Sequence, residues 1–189
     1  TPPSIPPDAP LVVFLGDSVA AGLHLPKEDA FPSVLQRELA ADGVPFRLVN
    51  AGVSGDTTAG GRARLGWLLR QEPAVVVVEL GANDGFRGVP VETMEANLRD
   101  ILDRVKAAGA KPLLLGIRLP PNYGPSYTAD FAGMYGRLAK TTGTPLVEDF
   151  MDGVAGRLDL NLPDGIHPTA EGHRLLAKAV KKPLRRLLD

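Results

Sequence analysis

The chain has 189 residues, 44% of them hydrophobic, enough for one domain whose core needs neither disulfides nor metal. Its 21 basic and 22 acidic residues nearly cancel and form no basic stripe, which excludes the electrostatic footprint of a nucleic-acid binder and points to a small, non-polyanionic partner. There is no cysteine to act as a thiol nucleophile, and no apolar run reaches the roughly 18 residues of a membrane helix, so no integral membrane segment is expected.

Residues 1–10 hold five prolines, Pro2, Pro3, Pro6, Pro7 and Pro10. That density favours an extended, poorly packed leader, a tether of the kind that follows a removed signal peptide, and with it a periplasmic or secreted location. Residues 11–189 read as a single domain. It opens with Leu11 to Leu15, a continuous apolar run suited to a strand buried on both faces. Val34, Leu35 and Leu39 then recur with helical period, and a weaker strand is expected over Phe46 to Val49. A helix carrying Leu65, Leu68 and Leu69 leads to a second strong strand, Ala74 to Val78. Met94, Leu98, Ile101, Leu102 and Val105 mark the next helix, and Leu113 to Leu115 with Ile117 the next strand. Met134 and Leu138 belong to a further helix, Pro145 to Val147 to a weak last strand. Ile166 to Leu188 closes the chain as a helix with Leu175, Leu176, Ala179, Val180 and Leu184. Strict alternation of five strands with helices predicts an α/β fold, a three-layer α/β/α sandwich around a parallel sheet.

In such a sheet, ligands bind outside the carboxyl ends of the strands. Ser18 follows the first strand, Gly55 the second, Asn83 the third and Arg118 to Tyr123 the fourth, while Asp164 and His167 precede the last helix. One edge therefore collects every chemically suggestive residue. Ser18 alone reads as readily as a helix cap or part of a phosphate loop, although the segment is neither G-x-S-x-G nor a Walker motif. Asp164 and His167, three apart, can form a pair in which the carboxylate accepts from one imidazole nitrogen and the other faces a hydroxyl. Pro168 restricts the backbone of His167, and Thr169 can cap the last helix. Asn83 offers an amide donor and Gly55 an approachable N–H, either of which could equally be an ordinary turn. His24 and His173 fit no metal-ligand spacing and are expected as solvated side chains. Asp17 and Asp84 are expected to bond within their own loops.

Four blocks carry a family resemblance: Phe14-Leu15-Gly16-Asp17-Ser18, Asn50-Ala51-Gly52-Val53-Ser54-Gly55-Asp56-Thr57, Val78-Glu79-Leu80-Gly81-Ala82-Asn83-Asp84-Gly85 and Asp164-Gly165-Ile166-His167-Pro168. In order and spacing they resemble the SGNH (GDSL) hydrolase superfamily from about Leu11 onward. Phe86-Arg87-Gly88 and Ile117-Arg118-Leu119-Pro120-Pro121-Asn122-Tyr123-Gly124 are similar to its bacterial thioesterase I, lysophospholipase and arylesterase branch.

The resemblance implies a flavodoxin-like sheet of order 2-1-3-4-5, Ser18 as nucleophile, His167 as base, and Asp164 as its orienting partner. It implies an oxyanion hole from the N–H groups of Ser18 and Gly55 and the side chain of Asn83, with no metal and no cofactor. The expected activity is hydrolysis of small-molecule carboxylic esters or thioesters, such as aryl esters, acyl thioesters or lysophospholipids, by a monomer. An acyl groove would be bordered by Phe86, Arg87, Gly88 and Val89 and by Arg118, Leu119, Pro120, Asn122 and Tyr123. Two alternatives remain at this point: a carbohydrate or peptidoglycan O-acetyl esterase, for which Trp67 is the one tryptophan that could stack on sugar, and a non-catalytic binding module on the same fold.

Overall fold

The computed structural model describes residues 4–189. Five parallel strands form one sheet in the order β2-β1-β3-β4-β5, comprising β1 (Leu11–Gly16), β2 (Arg47–Gly52), β3 (Val75–Glu79), β4 (Lys111–Leu115) and β5 (Leu146–Val147). The chain runs from β1 outward to β2, then returns past β1 to β3. The topological switch point therefore lies between the carboxyl ends of β1 and β3, where the parallel register brings Gly16 level with Glu79.

Among the described residues, seven α-helices clothe the sheet: α1 (Ser18–Ala21), α2 (Phe31–Ala41), α3 (Thr58–Leu69), α4 (Ala82–Phe86), α5 (Val91–Ala107), α6 (Pro125–Thr142) and α7 (Ala170–Leu188). α2 packs on α7 over one face, while α3, α5 and α6 pack side by side over the other, which gives the expected three layers. No helix among the described residues is long and apolar enough to cross a membrane.

Strand signals in the sequence track position in the sheet. β1 and β3 are central and buried at every residue, so they read as uninterrupted apolar runs, whereas β2 is an edge strand of mostly half-exposed residues and β5 is only two residues long. Phe46, expected to open β2, is fully buried but lies just before the strand, and Ile117 lies beyond the end of β4.

Three expectations are corrected. Ile166 does not begin the last helix, because Thr169 caps it, its hydroxyl accepting from Gly172 N at 3.1 Å. That helix buries His173, Leu176, Ala177, Val180 and Leu184, while Leu175 and Ala179 face solvent. Of the leader, Thr1, Pro2 and Pro3 lie outside the described residues, and the rest is not a loose tether. A turn closed by Ala9 N to Pro6 O at 3.1 Å leads into a docked segment where Arg47 donates from Nε to Ala9 O at 2.7 Å and from its backbone N to Pro10 O at 2.8 Å. Burial of Ala9 and the otherwise unpaired start of β2 account for the docking.

Candidate active site

At the end of β1 the chain turns directly into α1, and the first residue of that helix is Ser18. The cap is Asp17, whose Oδ1 accepts from Val19 N at 2.9 Å, so the serine hydroxyl is left free for another partner. That partner is His167: Ser18 Oγ lies 3.0 Å from Nε2, and His167 Nδ1 lies 2.6 Å from Asp164 Oδ2. With Nδ1 donating to the carboxylate, Nε2 is the acceptor and the serine O–H the donor.

The loop that carries the pair is held locally. Asp164 Oδ1 accepts from the backbone N–H of both Ile166 and His167 at 2.9 Å, while Gly165, with φ of 73°, allows the turn between them. Leu162 N donates to His167 O at 2.8 Å, and Asn161 pairs with Pro168 across an antiparallel bridge. The backbone N–H of His167, then its ring, then the N–H of Ile166 hold the Asp164 carboxyl well below the usual carboxylate range, so it stays ionised.

Beneath Ser18 lies a buried acid pair that the sequence did not single out. Glu79, the last residue of β3, accepts from Ala20 N at 2.9 Å through Oε1 and meets the carboxyl of Asp17. Burial first, and the neighbouring Asp17 second, push the Glu79 carboxyl well above its ordinary range, and burial raises Asp17 as well. Both carboxyls are thus biased toward their neutral forms, Glu79 the more strongly, as fits an acid at the end of an all-valine buried strand.

The first turn of α1 is therefore accounted for donor by donor. Val19 N goes to Asp17, Ala20 N to Glu79 and Ala21 N to the Asp17 carbonyl, whereas Ser18 N meets no acceptor among the described residues. Gly55 N, at a φ of 79°, likewise meets none, and a Cβ on Gly55 would find open space. Asn83 Nδ2 donates to Asp56 O at 2.9 Å and more weakly to Asp17 Oδ2 at 3.3 Å, which seats its amide between the first two blocks.

Arg64, unremarked in the sequence, ties these blocks together. From α3 its Nε donates to Asp56 Oδ2 at 2.8 Å, Nη1 to Ala51 O at 2.6 Å and Nη2 to Gly16 O at 3.0 Å. The ends of β1 and β2 and the Gly55 loop are thereby fastened by one guanidinium. The sequence clue was an arginine one turn beyond Gly60 and Gly61; a Cβ on Gly60 would come within 1.9 Å of Asp56 Oδ1, and one on Gly61 within 2.3 Å of Leu80. Gly52 is as tightly required, since a Cβ there would sit 2.4 Å from Ala21 N.

Other site expectations divide. Phe86 and Tyr123 meet with ring centroids 5.9 Å apart, and Phe86 is exposed along with Val53, two residues before Gly55, and Ile166, next to His167, apolar surface on the segments that carry the site residues. Arg87 Nη2 reaches Gly55 O at 3.4 Å; Gly88 turns the chain at φ of 67°, and Val89 O accepts from the Tyr127 hydroxyl at 2.5 Å. Pro120 and Asn122 are exposed on the loop after β4. Leu119, expected on the groove, is buried instead, underpinning Gly85, where a Cβ would lie 2.7 Å from its Cδ2. Arg118 turns to Asp149 at 3.4 Å.

Asp84 does not bond its own loop. It crosses to the start of α3, accepting from Thr58 N at 2.8 Å and Thr58 Oγ1 at 2.7 Å, with Asn97 Nδ2 donating to the same hydroxyl at 3.1 Å. Negative charge at a helix N-terminus is favourable, and the network is buried and satisfied. His173 is not solvated: it is 1% exposed and accepts from Phe31 N at 3.0 Å. Helical spacing alone did not separate it from its exposed neighbours Arg174 and Leu175. His24 is exposed, yet its ring lies 5.6 Å from that of His167.

The model of the GDSL-like lipase/acylhydrolase family matches residues 14–175. The chain is 45% identical to esterase TesA of Pseudomonas aeruginosa over 181 residues, covering 95% of this chain and 90% of that protein. It is 41% identical to thioesterase 1/protease 1/lysophospholipase L1 of Escherichia coli over 182 residues, 96% of this chain and 86% of the other. A crystal structure of TesA superimposes with a TM-score of 0.90 at 44% identity, covering 94% of this chain and 99% of that one. The chain belongs to the GDSL-like lipase/acylhydrolase family and is a carboxylic ester hydrolase.

Proposed function

We propose that Ser18 is the nucleophile, His167 the general base and Asp164 its orienting partner in transfer of an acyl group from a carboxylic ester or thioester to water. As Ser18 Oγ bonds to the acyl carbon, its proton passes to His167 Nε2 and the carbonyl π electrons move onto oxygen. The N–H groups of Ser18 and Gly55 and the Asn83 amide receive that oxyanion, each such donor typically contributing about 100- to 1,000-fold in rate. Collapse breaks the bond to the alcohol or thiol, which takes the proton from His167 and leaves an acyl-serine. Water, deprotonated by His167, then attacks the acyl-serine; collapse breaks the acyl–Oγ bond, Ser18 takes the proton back from His167, and the acid is released.

The observation that carries this reading is the relay of 3.0 and 2.6 Å from Ser18 through His167 to Asp164. The free N–H groups of Ser18 and Gly55 add to it, as does the weaker of the two Asn83 bonds, the 3.3 Å contact to Asp17, which an oxyanion can take over. Substrates with an apolar acyl chain are favoured by the exposed rim of Val53, Phe86 and Ile166. The names of the relatives, an esterase and a thioesterase/lysophospholipase, support the same substrate class. Trp67 offers nothing to a sugar at this site: it lies on α3 nine residues after Thr58, on the order of 13 Å along the helix axis from the end that reaches the site.

A serine-directed phosphonate tests the assignment. One equivalent is expected on Ser18 of the native protein and none on Ser18→Ala, with hydrolysis of p-nitrophenyl esters reduced by several orders of magnitude in the variant. Near-native turnover by Ser18→Ala would overturn the assignment, and a native protein that neither labels nor turns over would point to a binding module.

A further inference from the structure

A second imidazole stands beside the proposed base. His24 lies on the loop that leaves α1, placed by Leu23 N to Ser18 O at 3.0 Å and by Leu25 N to Gly22 O at 2.9 Å. Its φ of 70° puts a non-glycine residue in the left-handed region, and its ring makes no hydrogen bond among the described residues. The ring crosses that of His167 edge to face, at 85° between planes and 5.6 Å between centroids. One ligand atom from each of His24, Asp164 and His167 lies within 4.8 Å of the others.

We propose that His24, Asp164 and His167 form a site for a divalent ion of the zinc, nickel and copper class, and that occupation of it switches hydrolysis off. Two imidazole nitrogens and one carboxylate oxygen are the donors such ions select, whereas magnesium and calcium require oxygen ligands. Zinc–nitrogen bonds of about 2.0 to 2.1 Å place tetrahedral ligands about 3.3 Å apart, so a pair at the 4.8 Å limit has to close by about 1.5 Å, while His167 Nδ1 and Asp164 Oδ2, 2.6 Å apart, have to open slightly where both bind the ion. Rotation of the His24 side chain, exposed and without a hydrogen-bonded partner, supplies that movement. Asp164 is fixed by two backbone N–H groups on Oδ1, which leaves Oδ2 as its donor to the ion.

Inhibition follows from how His167 is already used. Both of its ring nitrogens are committed, Nε2 to Ser18 Oγ and Nδ1 to Asp164 Oδ2. An ion on Nε2 occupies the lone pair that must accept the serine proton. An ion on Nδ1 requires the ring proton to move to Nε2, which then has no lone pair for the serine proton, and it removes the orienting hydrogen bond to Asp164. Either mode stops the base. This inhibitory half rests on the role proposed for His167, whereas binding of the ion does not.

The experiment pairs binding with activity. Cu2+ is added to native protein, His24→Asn and Ser18→Ala, and binding is followed by electron paramagnetic resonance; Zn2+ inhibition of p-nitrophenyl ester hydrolysis is measured in parallel, with Mg2+ as control. Asparagine tolerates the left-handed backbone, so His24→Asn is expected to fold and to keep native activity without metal. Native protein and Ser18→Ala should show two-nitrogen coordination, and His24→Asn should lose it. The Zn2+ concentration for half-inhibition should rise at least about tenfold in His24→Asn, since even groups that only support a ligand contribute about 10- to 100-fold in affinity. Equal binding by native protein and His24→Asn overturns the site. Binding that depends on His24 but leaves hydrolysis untouched overturns the inhibitory role and the assignment of His167 as base with it.

Discussion

Glu79 Oε1 accepts the backbone N–H of Ala20 at 2.9 Å, so the acid that ends β3 holds the helix that begins with Ser18. Asp17 and Glu79 together absorb the donors of Val19 and Ala20, and what remains unspent is the N–H of the serine itself. The free N–H of Ser18 is thus a consequence of two buried carboxyl groups, Asp17 just beyond the end of β1 and Glu79 at the end of β3.

Glu79→Gln is expected to keep this arrangement, since the amide oxygen can accept from Ala20 and the amide nitrogen can donate to Asp17. Glu79→Leu strands the Ala20 N–H and the Asp17 carboxyl, for a loss of about 1 to 3 kcal/mol and a fall in kcat. The pH dependence separates the two roles. A carboxyl whose folded pKa is raised binds its proton in the native state while the unfolded chain gives it up, so native stability declines as pH rises above about 4.3, the unfolded value. Urea denaturation across pH should show Glu79→Gln gaining on the native protein from that point upward. A difference that does not change with pH would show that Glu79 is not protonated in the fold.

Arg64→Lys is expected to damage catalysis more than its conserved charge suggests. An ammonium cannot reach Gly16 O, Ala51 O and Asp56 together, as the guanidinium does. Loss of two charge-assisted bonds in a partly buried setting corresponds to about 2 to 3 kcal/mol in denaturant unfolding. Displacement of the Ser18 and Gly55 loops by a fraction of an ångström should lower kcat by up to about 100-fold with KM near native. A KM effect alone would place Arg64 in substrate binding instead.

The residues proposed for the triad and the oxyanion hole stand out in the sequence because each belongs to a short local motif, with Ser18 after a buried strand and Asp164 three residues before His167. The same locality hid Glu79, Arg64 and His173. Glu79 has no local signal because its partners, Asp17 and Ala20, belong to the cap and first turn of the helix that follows another strand. Arg64 lay among helical leucines, and only the approach of Gly16 and Ala51 gives its fork three acceptors. The central strands were clear and β2 and β5 faint for one reason: burial on both faces writes an unbroken apolar run, while an edge strand exposes part of its length.

His173 should make stability fall in mild acid. Helix α2 begins after Ala30, which has no capping side chain, and His173 Nδ1 from α7 accepts the Phe31 N–H in its place. Burial lowers its pKa to about 4, against about 6.5 for an unfolded imidazole. Below pH 6.5 the unfolded chain takes up a proton that the fold refuses, so a contribution on the order of 3 kcal/mol, complete above that pH, is lost progressively toward pH 4. His173→Asn keeps an acceptor without a proton to bind. Thermal unfolding should show a penalty for the variant at neutral pH that narrows as pH falls from 6.5 to 4; a constant gap would contradict the neutral buried imidazole.

Phe86 should set acyl-chain preference without holding the fold together. Its ring is 42% exposed at the end of α4 and leans on Tyr123 at 5.9 Å, so truncation opens no core cavity. An acyl chain laid across this rim buries methylenes at about 0.8 kcal/mol each. Losing one or two such contacts in Phe86→Ala corresponds to about 1 to 2 kcal/mol, or roughly 5- to 30-fold in kcat/KM for an octanoyl ester. The acetyl ester, too short to reach the ring, should be hydrolysed at close to the native rate, with thermal stability barely changed. A series of p-nitrophenyl esters decides it: a uniform loss at every chain length would place Phe86 in positioning Asn83, three residues before it in the same helix, and an acetyl optimum in the native enzyme would favour a deacetylase.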